Sequence, residues 1–246
     1  MKLIKSILTE NPCYKAGRTI KIKGLMLHSV GCPQPSASVF IRLWNKASYN
    51  NACVHGFIDA NDGTVYQTLP WNHRGWHGGG SSNNTHIGVE MCEPACIKYT
   101  GGANFTCSDK PTAVAAAERT YKAAVELFAM LCKEYSLDPL ADGVIVSHKE
   151  GHARGIASNH GDPEHLWKQL GMGYTMDTFR KAVKTEMDIA NLDNTPAEWS
   201  REAVDWAVAT GLMAGDTNGD LMLRSPITRE QFCVILKRYH DKFHTK

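Results

Sequence analysis

Six side chains in this sequence have the types and spacing for joint metal or acid–base chemistry: His28, Glu90, His148, His152, His160 and Asp162. Four of them fall between Val144 and Pro163. There the β-branched run Val144-Ile145-Val146 ends at Ser147-His148, and a polar, glycine-containing segment carries the three histidines and Asp162. The run reads as a buried strand and the segment after it as a loop displayed at the strand end. Imidazole nitrogens and a carboxylate oxygen are the ligands of a catalytic zinc, which takes three protein groups and keeps a fourth position for water. This stretch offers two or three such groups, so the rest of the chain must supply the others. His28 ends the apolar run Leu25-Met26-Leu27, where it is either a ligand or a hydrogen-bonded structural residue. Glu90 interrupts the apolar run His86 to Met91. It either faces solvent at a sheet end or lies buried beside a metal site, where its pKa rises toward the range of a general base. His148 and His152 are four apart and would share a metal on a helix. The HExxH zincin pattern, however, needs glutamate directly after the first histidine, where Lys149 stands.

The positioning elements alternate between strand and helix patterns. Thr19 to Ile22 alternates and Leu25 to Leu27 is a short apolar run, both suited to strands. Val39, Phe40, Leu43 and Trp44 mark a helical face within Ser36 to Trp44, with Ser36 or Ser38 as cap. The runs Val54 to Asp59 and Thr64 to Gln67 flank Asn61-Asp62-Gly63 and form a predicted hairpin. Trp71 to Gly80 holds four glycines and cannot be regular structure. Its Trp76-His77 pair either lines a substrate groove or belongs to a surface loop with a packed tryptophan. Cys92 to Cys107 reads as a Gly- and Thr-rich loop, and Pro111 to Glu134 as one long helix with proline in its first turn. Asp177 to Met187 is a last helix before a polar segment ending at Pro196. Strands alternating with helices imply an α/β layer with a largely buried sheet.

Composition narrows the class. A formal net charge of +2 argues against nucleic-acid or anionic-membrane partners. No stretch approaches the roughly 20 apolar residues that span a bilayer. The N-terminal residues show no signal-peptide pattern, so no secretory signal is expected there. The eight cysteines are scattered without a CxxC pair, which suits reduced and mostly buried thiols.

The chain resembles the zinc-dependent N-acetylmuramoyl-L-alanine amidases, type 2, the family shared with phage endolysins and peptidoglycan recognition proteins. The resemblance covers residues 18–185 and rests on Leu25 to His28, Val54 to Asp59, Trp76-His77, Ile87 to Glu90, and Ser147-His148 followed by Asp162-Pro163. It implies the α/β amidase fold with a mixed central sheet flanked by helices, a peptidoglycan substrate, and zinc held by His28, His148 and Asp162, with Asp162 where some relatives carry cysteine. It makes Glu90 the acid/base and puts Trp76 and His77 against substrate. His160 stands where relatives often have an oxyanion-binding lysine, and Val54 where they often have an aromatic residue. The segment from His148 to Asp162 is longer than in many relatives, leaving His152 as a spare ligand. The implied enzyme is an endolysin or autolysin, made in the bacterial cytoplasm and acting on the cell wall after release; the alternative is a non-catalytic peptidoglycan-binding receptor on the same fold.

Three segments are expected: a catalytic domain over 1–188, a linker over 189–197 and a small α-helical module over 198–246. Within the module, Trp199 to Thr210 and a segment from Thr228 to Arg238 read as helices. Asp216, Asn218 and Asp220 are spaced like calcium-loop oxygens, but Gly219 and the missing glutamate twelve along argue against one. The module resembles a single S-layer homology unit, with Leu221-Met222-Leu223 replacing the usual Phe-x-Pro. That resemblance implies an anionic wall polymer contacted by Arg229, or homo-oligomerisation through the module.

Overall fold

The computed structural model describes residues 1–189, 193–217 and 219–244. The chain divides into two compact units, Met1–Glu186 and Met187–Lys246. Residues 190–192 of the expected linker, and Asn218 of the calcium-like spacing, lie outside the described residues.

In chain order the first unit runs β1 (Leu3–Lys5), α1 (Pro12–Lys15), β2 (Gly24–Ser29), α2 (Ala37–Trp44), β3 (Gly56–Ile58), β4 (Val65–Gln67), β5 (His86–Met91), β6 (Ile97–Gly101) and β7 (Asn104–Cys107). It continues with α3 (Lys110–Glu134), β8 (Ile145–Ser147), α4 (His148–Ala153), α5 (Glu164–Leu170) and α6 (Met176–Ile189). Six strands form a mixed sheet in the order β1-β4-β3-β5-β2-β8. Only β3 and β4 are antiparallel, joined through Gly63 at φ +76°, a conformation that glycine adopts without strain. The other neighbouring pairs are parallel. All six residues of β2 are buried, and five of six in β5, as expected for interior strands of a largely parallel sheet.

The long helix α3 starts one residue before the expected Pro111, with Asp109 accepting the Thr112 N–H as its cap. Ala113, Ala116, Ala117, Ala123 and Ala124 are buried on its inner face. These small side chains leave room for Phe40 to stack on Phe57 at 5.1 Å and for Tyr121, Phe128, Trp167 and Phe179 to pack edge to face.

Three segments differ from the sequence reading. Thr19 to Ile22 forms no strand: its alternation meets only an isolated bridge between Thr19 and His73. Cys92 to Cys107 is not all loop, because β6 and β7 pair as a second, two-stranded sheet turned at Gly101 and Gly102. The segment after Ser147 begins as the short helix α4, closed by a capping box in which Ser147 and Glu150 satisfy each other's backbone N–H groups.

The second unit holds α7 (Arg201–Ala209) and α8 (Arg229–Phe243), the latter begun by a capping box between Thr228 and Gln231. Among the described residues, Leu212 is its one buried hydrophobic side chain, while Trp199, Ile227, Phe232 and Leu236 are exposed. No described helix is long and apolar enough to cross a membrane.

Arg180 of α6 fixes α4 to the sheet. Its guanidinium donates to both Glu150 oxygens, at 2.9 and 3.1 Å, and to the Ile145 carbonyl at 2.9 Å. Glu150 in turn accepts the Ser147 N–H at 3.2 Å. Arg180→Ala should therefore lower the stability of the first unit by about 1.5–3 kcal/mol, the range for hydrogen bonds to charged groups, measured as a shift in urea midpoint.

Candidate metal centre and catalytic site

Parallel pairing gathers the site. In register, Leu27 lies beside Ser147 and His28 beside Glu90, so the carboxyl ends of β2, β5 and β8 share one sheet edge. That edge is where open α/β sheets present ligands. His28 and Glu90 are the penultimate residues of β2 and β5, and His148 opens α4 directly after β8. Asp162 arrives from the segment after α4 and is held by two backbone contacts. Its Oδ2 accepts the Ser29 N–H at 3.3 Å, and its carbonyl accepts the Lys149 N–H at 3.3 Å.

His28, His148 and Asp162 are buried, and each offers one ligand atom within 4.8 Å of the others. The two Nδ1 atoms are 3.0 Å apart, and the Asp162 oxygens lie 3.3 Å from His28 Nδ1 and 3.6 Å from His148 Nδ1. A tetrahedral zinc with bonds of about 2.0–2.1 Å needs ligand atoms about 3.3 Å apart. The donor set and its spacing fit the metal.

Hydrogen bonds behind the ligands fix which nitrogen is bare. His77 Nε2 lies 3.1 Å from the His86 carbonyl, which can only accept, so His77 carries its proton there. Burial holds the His77 pKa well below the usual value, leaving the ring neutral and its Nδ1 an acceptor. His28 Nε2, 3.0 Å away, must then donate to it. When the His28 ring is neutral, its Nδ1 lone pair is bare and turned toward Asp162. His148 follows the same logic: its Nε2 meets Ser158 Oγ at 3.1 Å, and that hydroxyl donates to the Gly78 carbonyl at 3.3 Å. Both imidazoles are oriented as ligands by groups on their far sides.

Burial opposes protonation of His28, but the Asp162 and Glu90 carboxylates outweigh it and raise its pKa. Burial, with His28 beside it, pushes His148 down to about 4. The Asp162 carboxyl is held below its ordinary value because the two imidazoles outweigh the cost of burial.

The loop from Trp76 to Gly80 supplies this support. Trp76 is 45% exposed, as a groove-lining residue requires, whereas His77 turns inward behind His28. A Cβ on Gly88 would lie 2.3 Å from the His77 ring, and one on Gly79, at φ +67°, 2.7 Å from Ser158 Oγ. Glycine at both places is what lets the two supports close in. Ser158, Gly78 and the Ser29 amide were not singled out from the sequence; the cluster of glycines was the available signal.

Glu90 is half-buried, and its Oε2 is shielded from solvent without a hydrogen-bond partner among the described residues. Burial pushes its pKa up to about 8, against the opposing pull of His28. His160 lies at the open side, its ring 4.4 Å from that of His148 and its Nδ1 3.9 Å from Asp162. His152 is outside the ligand group; its Nδ1 meets the Ala157 carbonyl at 3.4 Å. Arg229 is exposed in the first turn of α8 in the second unit.

Residues 18–165, more than half of the chain, match the family model for N-acetylmuramoyl-L-alanine amidase. The chain belongs to that family. It is a peptidoglycan amidase, as the sequence resemblance implied. No curated protein matches it in sequence. Among solved structures it is similar to the hydrolase AmiA of Staphylococcus aureus in complex with its ligand, at TM-score 0.59 and 18% identity over 77% of this chain and 85% of that one. The catalytic domain of XlyA gives 0.51 and 21% over 74% and 99%, and a mutant endolysin from Bacillus subtilis 0.50 and 21% over the same shares. These likenesses show the mixed α/β amidase fold.

Loss of a hydrogen-bonding group behind a ligating histidine commonly costs 10–100-fold in metal affinity. His77→Ala should lose about that much affinity for zinc, read by chelator competition. Unchanged affinity would show that His77 does not support the metal site.

Proposed function

We propose that this protein hydrolyses the amide bond between N-acetylmuramic acid and L-alanine with one zinc ion held by His28, His148 and Asp162. The observation that carries this reading is the convergence of three buried ligand atoms, two of them imidazole lone pairs aimed by His77 and Ser158. Zinc, when bound, supplies a Lewis acid that makes water acidic near neutral pH and polarises a carbonyl.

The chain's own groups do the rest. Glu90, with a raised pKa and an unpartnered Oε2, takes the proton of the attacking water and passes it to the departing alanine nitrogen. His160, held over the His148 ring at the open side, donates to the carbonyl oxygen as negative charge develops. Removing one such donor costs on the order of 2.7–4 kcal/mol in other enzymes. Trp76 offers an exposed aromatic face to the glycan or stem peptide. The biological role is that of an endolysin or autolysin, made in the bacterial cytoplasm and acting on the wall.

Glu90→Gln should keep the fold and bound zinc but lower turnover on purified walls by about 10²–10⁴-fold, followed as loss of turbidity. Near-wild-type lysis would remove Glu90 from the mechanism.

The second unit, residues 187–246, is proposed as a cell-wall-binding module of the S-layer homology kind. Arg229 is its anion contact, and its exposed apolar side chains are the surface through which copies associate. A segment this small buries too little to stand alone comfortably, and association supplies the missing contacts. Truncation after Ile189 should leave cleavage of soluble fragments unchanged while abolishing wall retention and reducing the sedimenting species to a monomer. Retention equal to full length would remove the wall-binding role, and a monomeric full-length protein the association.

A further inference from the structure

The fold brings two cysteines from distant parts of the first unit into contact, away from the proposed metal ligands. Cys13 lies on the inner face of α1, a single surface turn, and Cys53 lies in the segment before β3. Their side chains pack together in a small buried cluster with Leu69. Backbone contacts hold the two segments together: Asn11, which caps α1, donates through Nδ2 to the carbonyls of Trp44 at 3.1 Å and Ala52 at 3.3 Å. Cys53 is in turn paired with Trp76 in both directions, at 2.9 and 2.8 Å.

We propose that Cys13 and Cys53 are a disulfide-forming pair, cross-linking when the protein meets a small-molecule disulfide outside a reducing environment. The cross-link ties α1 to the backbone that carries Trp76 and His77.

The reactivities of the thiols fit this assignment. The Cys53 side chain beside it holds the Cys13 thiol below the ordinary thiol range, helped by Arg18 and Arg74 and opposed by burial, so Cys13 is the more readily ionised of the two. The Cys53 thiol is pushed up by the same contact and by burial. Burial pushes Cys32 up to about 11 and Cys132 to about 12, which leaves both unreactive. Cys13 therefore attacks first. Its thiolate opens a small disulfide, joins one sulfur and releases the other half as a thiolate, which takes the proton of Cys53. The Cys53 thiolate then attacks the Cys13 sulfur and expels the second half. Two protein thiols become one disulfide and one small disulfide becomes two small thiols, so electrons and protons balance. Closing a long loop restricts the unfolded chain, so the oxidised protein is the more stable form.

The test uses the full-length, zinc-loaded protein incubated with oxidised glutathione, then denatured, alkylated and digested without reductant. The expected result is a linked peptide pair carrying Cys13 and Cys53, both escaping alkylation. The thermal midpoint should rise by several degrees, fall back on reduction, and show no such rise in Cys13→Ser or Cys53→Ser. Cys96 and Cys107 also lie together at the base of the β6–β7 hairpin, packed against one cluster, and would give a different linked peptide. Alkylation of both Cys13 and Cys53 after oxidation, with or without a Cys96–Cys107 link, would overturn the assignment. So would a stable glutathione adduct on Cys13 beside an alkylated Cys53. Neither readout depends on catalysis, so failure here leaves the proposed amidase mechanism untouched.

Discussion

Three electron-rich atoms share one small buried space: His28 Nδ1, His148 Nδ1 and a carboxylate oxygen of Asp162. The proton of each neutral imidazole is committed on the far side, to His77 or Ser158, so none is left to bridge the group. Lone pairs turned on one another away from water are costly unless a cation lies among them. A proton on His28 Nδ1 serves two of the atoms, and the raised pKa of that ring expresses the demand. A divalent cation serves all three. The surrounding architecture is arranged to keep this convergence from relaxing.

The sheet makes the convergence possible between residues more than a hundred positions apart. Because β2, β5 and β8 run parallel, their carboxyl ends arrive together, and the registers place His28 beside Glu90 and one step beyond Ser147. A slip of one residue in β5 would turn Glu90 to the opposite face of the sheet. The buried, apolar neighbours on β2 and β5 penalise that slip. Core packing and site geometry are thus one constraint: the hydrophobic pattern that fixes register also fixes which side chains meet.

Much of this was legible because strand ends leave a local trace. Leu25 to His28, Ile87 to Glu90 and Ile145 to His148 each show an apolar run broken by one chemically capable residue. The choice of Asp162 over His152 as third ligand was not local. It depends on how the chain returns after α4, and it came from resemblance. The capping box between Ser147 and Glu150 was present in the letters, but Gly151 and the shortness of α4 made the segment look like loop. The inward turn of His77 left no trace in its own neighbourhood, since it requires the absence of a side chain at Gly88 on another strand. Thr19 to Ile22 shows the reverse failure, an alternating pattern with no neighbouring strand to pair with.

The same site is a burden on the fold. Leaving Glu90 Oε2 buried and without a partner among the described residues costs about 1–3 kcal/mol, the usual penalty for an unsatisfied polar group. Glutamine or an apolar residue would suit the strand better. The glycines at 78, 79 and 80 add loop entropy that any other residue would reduce. These costs fall on the sheet edge and its loops, while the compensating contacts lie elsewhere, in the Tyr121, Phe128, Trp167 and Phe179 cluster and the Arg180–Glu150 fork. That separation follows from the chemistry. A group proposed to accept and release a proton is here left short of hydrogen bonds, so the energy that keeps it in place has to come from residues remote from it.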